Sequence, residues 1–360
     1  MKVAIDCRHI DSSGGIGVYL RECLPFFLDT ANEFLLLGDT QKLNFTRNYP
    51  NIKIIPCSIK PFSLQDTFLF PLRISKKINN CDLFYTPYFN IPGGLKIPAY
   101  TTIHDIIFPD MPELTSGLGL CIRMYFYKRC FKRSRKIFTV SEFSKSRIDY
   151  YTGGKVAVIV TYNAIQSYLL ENPDKTQKIV KKDLILFIGN IKKHKGLHNL
   201  LAAYREARKY GLSHKLLIVG NAGNFRSKDN EFNRIIKTFK SGEVEFTGFL
   251  PNDDIYRLLR EASLLVQPSL YEGFGYPPLE AMISGTTVLI SDIPVFKEIY
   301  NGFPVHYFKA GDQADLKEKL LSILLHKEPE TINLSRELRE KYTFKKTTDI
   351  IKKELGIFQN

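Results

Sequence analysis

SLLVQPSLYEGFGYPPLEAMISGTTVLISD, residues 263–292, carries the logic of the fold in one stretch. Its first apolar run does not alternate with polar residues, as expected of a strand buried on both faces. The run stops at Pro268, a glycine-bearing loop follows, and Pro277 and Pro278 open a helix. Proline suits a first helical turn because its missing N–H would have no partner there. A second apolar run, TTVLISD (286–292), returns as another strand. Strand, loop, helix and strand in that order make one unit of a parallel sheet covered by helices. The loop also carries chemistry. Gly273 and Gly275 let backbone amides approach a ligand with no Cβ in the way. Those amides and the helix N-terminus form a donor surface for hydroxyl or phosphate oxygens. Glu272 and Glu280 flank the loop with seven residues between them. A carboxylate accepts two hydroxyl hydrogen bonds at once, which suits the vicinal diol of a sugar or ribose. The plainer alternatives are a helix-dipole partner for Glu280 and a simple loop charge for Glu272.

The same alternation extends outward. Strands are expected at DLILFIG (183–189), HKLLIVG (214–220), VEFTGFL (244–250) and VHYF (305–308). Helices are expected at 195–211, with Leu197, Leu200, Leu201 and Tyr204 on one face, around 229–241, and onward from Pro251 and Asn252. The first half repeats the theme with KVAID (2–6), EFLLLG (33–38), KIIPC (53–57), DLFYTPY (82–88), YTTIHD (100–105), KIFTVS (136–141) and KVAVIV (155–160). ENPDKTQKIVKKD (171–183) is polar and reads as a linker. The fold class is α/β, with two Rossmann-like doubly wound domains facing a central cleft and ligands at the carboxyl ends of the strands. The expected bounds are 1–170 for the first domain, 171–182 for the linker, 183–340 for the second and 341–360 for a terminal helix.

Of the 360 residues 44% are apolar and 24% charged, which excludes a disordered or fibrous chain. No stretch approaches the ~20 apolar residues that cross a bilayer. MKVAIDCRHI at the start reads as a strand, not as a secretory signal. Cys7, Cys23, Cys57, Cys81, Cys121 and Cys130 form no CxxC pair and are expected to be free thiols of a reducing cytosol. Lys and Arg number 51 against 37 Asp and Glu, a net charge of +14. Such a surface fits a phosphate-bearing ligand, a membrane or nucleic acid, or is simply solvated.

PSLYEGFGYPPLEAM (268–282), with its spaced glutamates, resembles the signature of the family-four retaining glycosyltransferases of the GT-B fold. SSGGIGVYL (12–20), IHD (103–105), VSEFSKS (140–146), FIGNIKKHKG (187–196), LIVG (217–220) and TGFLPNDDIYRLLREA (247–262) fall in that family's order along nearly the whole chain. The resemblance implies a nucleotide-sugar donor held mainly by the second domain. It implies that Glu280 binds the ribose hydroxyls and that Glu272 lies by the donor sugar. The backbone amides of Phe274, Gly275 and Tyr276 would meet sugar hydroxyls or phosphate. Lys195 would neutralise the diphosphate leaving group, where charge grows as the glycosidic bond breaks. Gly14, Gly15 and Gly17 would lie over the donor phosphates. Taken alone they fail as a dinucleotide fingerprint, because the third glycine would fall at Leu20. His104 would face the donor sugar, and Asp105 would orient it or cap the next segment. Asn190, on the donor side, stands where many members carry arginine, with Lys192, Lys193 or His194 as substitutes. Asn163-Ala164 replaces the usual Asn-Gly turn, with the asparagine left-handed. The helix within 342–358 would cross back to the first domain.

No cofactor or metal is expected, since the chain has no Asp-x-Asp and no ligand cluster. Asp253 and Asp254 read as first-turn helix acids. CIRMYFYKRCFKRSRKIF (121–138) holds seven cations, and no acid lies between Glu113 and Glu142. It reads as a basic amphipathic helix that either docks on an anionic membrane through Lys128, Arg129, Lys132 and Arg133 or packs with a solvated basic face. Two rival functions are weaker. A nucleotide-dependent oxidoreductase lacks the full glycine fingerprint and its acidic ribose partner. A basic nucleic-acid binder has only the charge to recommend it. The expected activity is transfer of a hexose-type sugar from GDP-mannose, a UDP-hexose or dTDP-rhamnose to a glycan or lipid-linked acceptor. The expected setting is bacterial surface polysaccharide (O-antigen or capsule) synthesis, in the cytoplasm or peripherally on the inner membrane face.

Overall fold

The computed structural model describes residues 1–12, 14–28, 32–171, 180–220, 234–325, 332 and 334–357. The chain divides into two compact units, Met1–Ala164 with Tyr342–Asn360, and Ile165–Lys341. Residues 165–170, grouped by sequence with the first domain, belong to the second unit. Most of the expected linker lies outside the described residues.

The first unit holds β1 (Lys2–Asp6), β2 (Glu33–Gly38), β3 (Ile52–Pro56), β4 (Leu83–Thr86), β5 (Ala99–Ile103), β6 (Ser134–Thr139) and β7 (Ala157–Val160). They form a parallel sheet in the order β3-β2-β1-β4-β5-β6-β7. Its helices are α1 (Gly15–Phe27), α2 (Leu64–Phe68), α3 (Leu72–Asn79), α4 (Ile107–Asp110), α5 (Gly117–Arg133) and α6 (Glu142–Thr152). Successive strand residues face opposite sides, and both sides here are apolar. On one side Ala4, Leu35, Leu37 and Phe84 pack with Ile78 of α3. On the other, Tyr85 meets Phe27 and Tyr19 of α1. The basic segment is not one helix. Helix α5 stops at Arg133, and Arg135 and Lys136 lie on β6, because ladder bonds to β5 and β7 take over from helical periodicity.

The second unit holds β8 (Lys182–Ile188), β9 (Lys215–Val219), β10 (Val244–Gly248), β11 (Ala262–Gln267), β12 (Thr287–Ser291) and β13 (His306–Phe308). Their order is β10-β9-β8-β11-β12-β13, again parallel. With them go α7 (Ser167–Glu171), α8 (Leu197–Lys209), α9 (Asn252–Glu261), α10 (Tyr276–Ile283), α11 (Pro294–Ile299), α12 (Gln313–Leu325) and α13 (Arg336–Lys341). Leu200, Leu201 and Tyr204 of α8 pack with Phe187, Ile218 and Val266 of the sheet and Leu316 and Leu320 of α12. The helix expected at 229–241 lies partly outside the described residues; 234–236 are helical.

The last helix, α14 (Phe344–Leu355), belongs to the first unit and packs on α1. Lys352 donates to the Phe26 carbonyl at 3.1 Å, and Lys136 of β6 pairs with Glu354 at 2.7 Å. In each sheet the strand order reverses once, between β1 and β4 and between β8 and β11. Loops diverge there and leave a crevice at the carboxyl ends.

Candidate active site

The reversal in the second unit brings together the loops after β8 and β11. Gly196 follows a 3₁₀ turn, Lys193–Lys195, and has φ +67°; a Cβ there would lie 1.9 Å from the Pro268 carbonyl oxygen. Only glycine allows that approach. The amide of Leu270 donates to the His194 carbonyl at 2.7 Å and staples the loops. Lys195 is thereby delivered to Glu272, with Nζ 2.7 Å from each carboxylate oxygen. Ser269 Oγ also donates to Glu272 Oε1, at 2.7 Å. Glu272 is buried and the Lys195 side chain keeps 21% exposure, so the ammonium is within reach of an incoming anion. A charge sheltered this far needs its partner, because desolvation is costly without one.

Helix α10 starts at the end of the same loop. Its N-cap, Gly275, has φ +90°, and a Cβ there would meet the Phe296 ring at 2.5 Å. Tyr300 donates its hydroxyl to the Gly275 carbonyl, so α11 buttresses the turn. Pro277 and Pro278 occupy the first turn, as expected. Phe274 is buried, with its ring 5.8 Å from that of Tyr276. Glu280 is buried on α10 and accepts from the side-chain amide of Gln166. Sequence reasoning missed Gln166. It lies 114 residues upstream, and no local pattern marks it.

Asn190, Lys192 and Lys193 are exposed. His194 does not supply the missing cation: burial first, then the neighbouring Lys195, lower its pKa to about 4, so it is neutral at neutral pH. An open groove of ≈ 470 Å³ lies along β8, β9, β10 and α9 and is lined by none of these candidate residues. Among the described residues no group of three or more His, Cys, Asp or Glu side chains could hold a metal ion.

In the first unit, Gly14 is the extended N-cap of α1, Gly15 is its first residue and Gly17 is buried. His104 follows β5, and its Nε2–H donates to the Pro87 carbonyl at 3.0 Å. Its ring sits edge-on to Tyr19, at 4.8 Å. Burial lowers its pKa to about 4, which leaves a neutral imidazole with Nδ1 as the acceptor nitrogen. Asp105 accepts from the Ile107 amide at 3.1 Å and so caps the next segment. The left-handed residue after β7 is Tyr162 (φ +56°), not Asn163. Its carbonyl accepts from Thr347 and its ring packs on Tyr342, contacts from α14 and the residues before it that sequence cannot weigh.

Two of the four cations expected on a membrane face are structural. Arg129 donates to the Ile91 and Pro92 carbonyls, and Arg133 to the Leu95 carbonyl at 2.6 Å. Lys128 and Lys132 are exposed. Among the described residues no helix is long and apolar enough to cross a membrane.

Two parallel α/β units, with the Lys195–Glu272 pair at the reversal of the second sheet, are the build of the GT-B fold. Residues 170–343, just under half of the chain, match the family described as Glycosyl transferases group 1. The O-antigen chain mannosyltransferase RfbU of Salmonella typhimurium is 29% identical over 237 residues, 65% of this chain and 62% of that protein, so under two thirds of it is spanned. O-antigen chain mannosyltransferase B of Escherichia coli is 28% identical over 287 residues, 76% of this chain and 73% of that protein. In fold, the chain is similar to HepE of Anabaena, solved in complex with UDP and glucose. Its TM-score is 0.72 at 18% identity, over 99% of this chain and 100% of that one. These matches favour neither the oxidoreductase nor the nucleic-acid reading.

Proposed function

We propose that this chain is a retaining, metal-independent transferase that moves a hexose, with mannose the first candidate, from a nucleotide sugar to a glycan or lipid-linked acceptor of a bacterial surface polysaccharide. The names of the O-antigen mannosyltransferases support the pathway and the sugar. The UDP and glucose complex of HepE supports a nucleotide-sugar donor. A cytoplasmic site of action, peripheral to an anionic inner membrane face, completes the proposal.

The observation that carries it is the Lys195–Glu272 pair at the sheet reversal. Here Lys195 is satisfied by Glu272. An arriving diphosphate offers the ammonium a second anion, and Glu272 then has lone pairs to give to sugar hydroxyls. Glu280, held by Gln166, takes the ribose diol, and the amides of Phe274, Gly275 and Tyr276 take sugar or phosphate oxygens. In the transfer, the bond from the anomeric carbon to the β-phosphate oxygen breaks. The acceptor oxygen bonds to the same face, and its proton passes to the departing phosphate. Lys195 stabilises the charge left on that phosphate. His104 and the loop of Gly14, Gly15 and Gly17 enter as residues whose substitution lowers transfer. Asn190 is left as an exposed polar neighbour with no ionic role.

A donor screen with GDP-mannose, UDP-glucose and dTDP-rhamnose, with product identification, tests the reading. Transfer from one of them, undiminished in excess chelator and with anomeric configuration kept, is expected. Binding of no nucleoside diphosphate would end it, and activity restored only by Mg²⁺ would end its metal-independent part.

A further inference from the structure

Among the described residues, seven of the first unit's exposed large apolar side chains fall in two short stretches; Met1, Phe45 and Tyr150 are the others. Leu64, Phe68, Leu69 and Leu72, on α2 and the start of α3, are 64–76% exposed. Leu118, Ile122 and Tyr125 of α5 are 43–74% exposed. Their spacing of four and then three residues sets those three on one stripe of α5, which continues to the exposed Lys128 and Lys132. The rings of Phe68 and Tyr125 lie 6.2 Å apart and join the two groups into one patch. Large contiguous apolar patches on a protein surface mark an interaction site.

The charged side chains of α3 and α5 are all basic. Arg73, Lys76 and Lys77 of α3 are exposed beside the patch. The one acid between Cys57 and Cys81 is Asp66, and it is turned inward. Asp66 pairs with Arg8 at 2.6 Å and accepts from Asn90, while Ser63 caps α2. Arg129 and Arg133 tie α5 to the carbonyls of residues 91, 92 and 95. Leucines and aromatic rings are thus held outward by a buried ionic frame, with lysines at the border.

We propose that this patch inserts into the headgroup–acyl boundary of an anionic membrane, with Leu69, Leu72, Phe68 and Ile122 entering and Lys128 and Lys132 on lipid phosphates. This deepens the membrane part of the proposed function and rests on it for the setting; the donor chemistry is not used. Charge complementarity selects the occupant. A second copy meeting the same patch across a two-fold axis would set cations against cations, whereas anionic lipid neutralises them. Charge-only docking is abolished by salt; apolar insertion is not.

The chain has no tryptophan, so Phe68→Trp places a single reporter in the patch, with Phe249→Trp, at an exposed position of the second unit, as control. Vesicles of phosphatidylcholine and phosphatidylglycerol in equal parts should shift the Phe68→Trp emission to the blue and leave the control unmoved. Sedimentation of the unmodified protein with these vesicles should persist in part at high salt. Leu69→Ser/Leu72→Ser/Ile122→Ser should lower that salt-resistant fraction about tenfold or more. Lys128→Gln/Lys132→Gln should lose mainly the salt-sensitive part. An unmoved Phe68→Trp spectrum, or a triple variant that binds like the unmodified protein, overturns the proposal. So does a smaller solution mass for the triple variant without vesicles, which would assign the patch to a second copy. Nucleoside diphosphate binding is measured alongside: its absence with vesicle binding intact sinks the transferase reading alone, and the converse sinks the patch alone.

Discussion

Gly196→Ala tests whether the site depends on the close approach of its two loops. An alanine at φ +67° costs about 1–2 kcal/mol from the left-handed backbone alone. Its Cβ would also stand 1.9 Å from the Pro268 carbonyl oxygen, a backbone atom that cannot rotate away. The 3₁₀ turn must therefore retreat and break the Leu270-to-His194 bond, worth about 0.5–1.5 kcal/mol net and more if a buried group is stranded. The expected loss is about 2–4 kcal/mol. Lys195 leaves Glu272 with that movement, so nucleoside diphosphate affinity should fall as well. Gly302→Ala is the control, at φ +84° with nothing within 4 Å of the added Cβ. It should cost only the left-handed term, about 1–2 kcal/mol, and leave affinity unchanged. Urea denaturation and nucleotide titration of both variants give the comparison. If Gly196→Ala were no less stable than Gly302→Ala and bound nucleotide normally, the loops would not be coupled as described.

Glu280→Ala should weaken nucleoside diphosphate binding strongly, since hydrogen bonds to a charged group are worth roughly 1.5–3 kcal/mol each; calorimetric titration that finds unchanged affinity removes the ribose assignment. Gln166→Ala should give a smaller loss of the same kind, because Glu280 loses its positioning partner. Lys195→Ala should lower turnover more than nucleoside binding, as its charge meets one that develops on the phosphate; steady-state kinetics with unaltered turnover would make it a surface residue. His104 and His194 both have pKa values lowered from 6.5 to about 4. The unfolded chain therefore takes up protons that the folded one refuses. Stability should be full above pH 6.5 and fall as pH drops toward 4. The ceiling is about 1.4 kcal/mol per pH unit for each histidine. Denaturation midpoints at neutral and acid pH check this, and His104→Gln should flatten the slope.

The sequence by itself determined the strands and the doubly wound pattern, because buried parallel strands are continuous apolar runs and their helices are amphipathic. Pro277, Pro278 and Gly275 marked the start of α10 by local geometry alone, and Glu272 and Glu280 flank that loop, whereas Lys195 was picked out by the family resemblance. Tertiary structure decided everything that depends on distant partners. Lys195 meets Glu272 across 77 residues, and Gln166 reaches Glu280 across 114. The left-handed position is at Tyr162 because Thr347 and Tyr342 hold it there. Arg129 and Arg133 looked like surface charges and became ties to a loop, while the apolar residues 64–72 came to lie beside α5. Local propensity is written in a window of a few residues; which side chains stay exposed, and which charges find each other, is settled only when the chain packs.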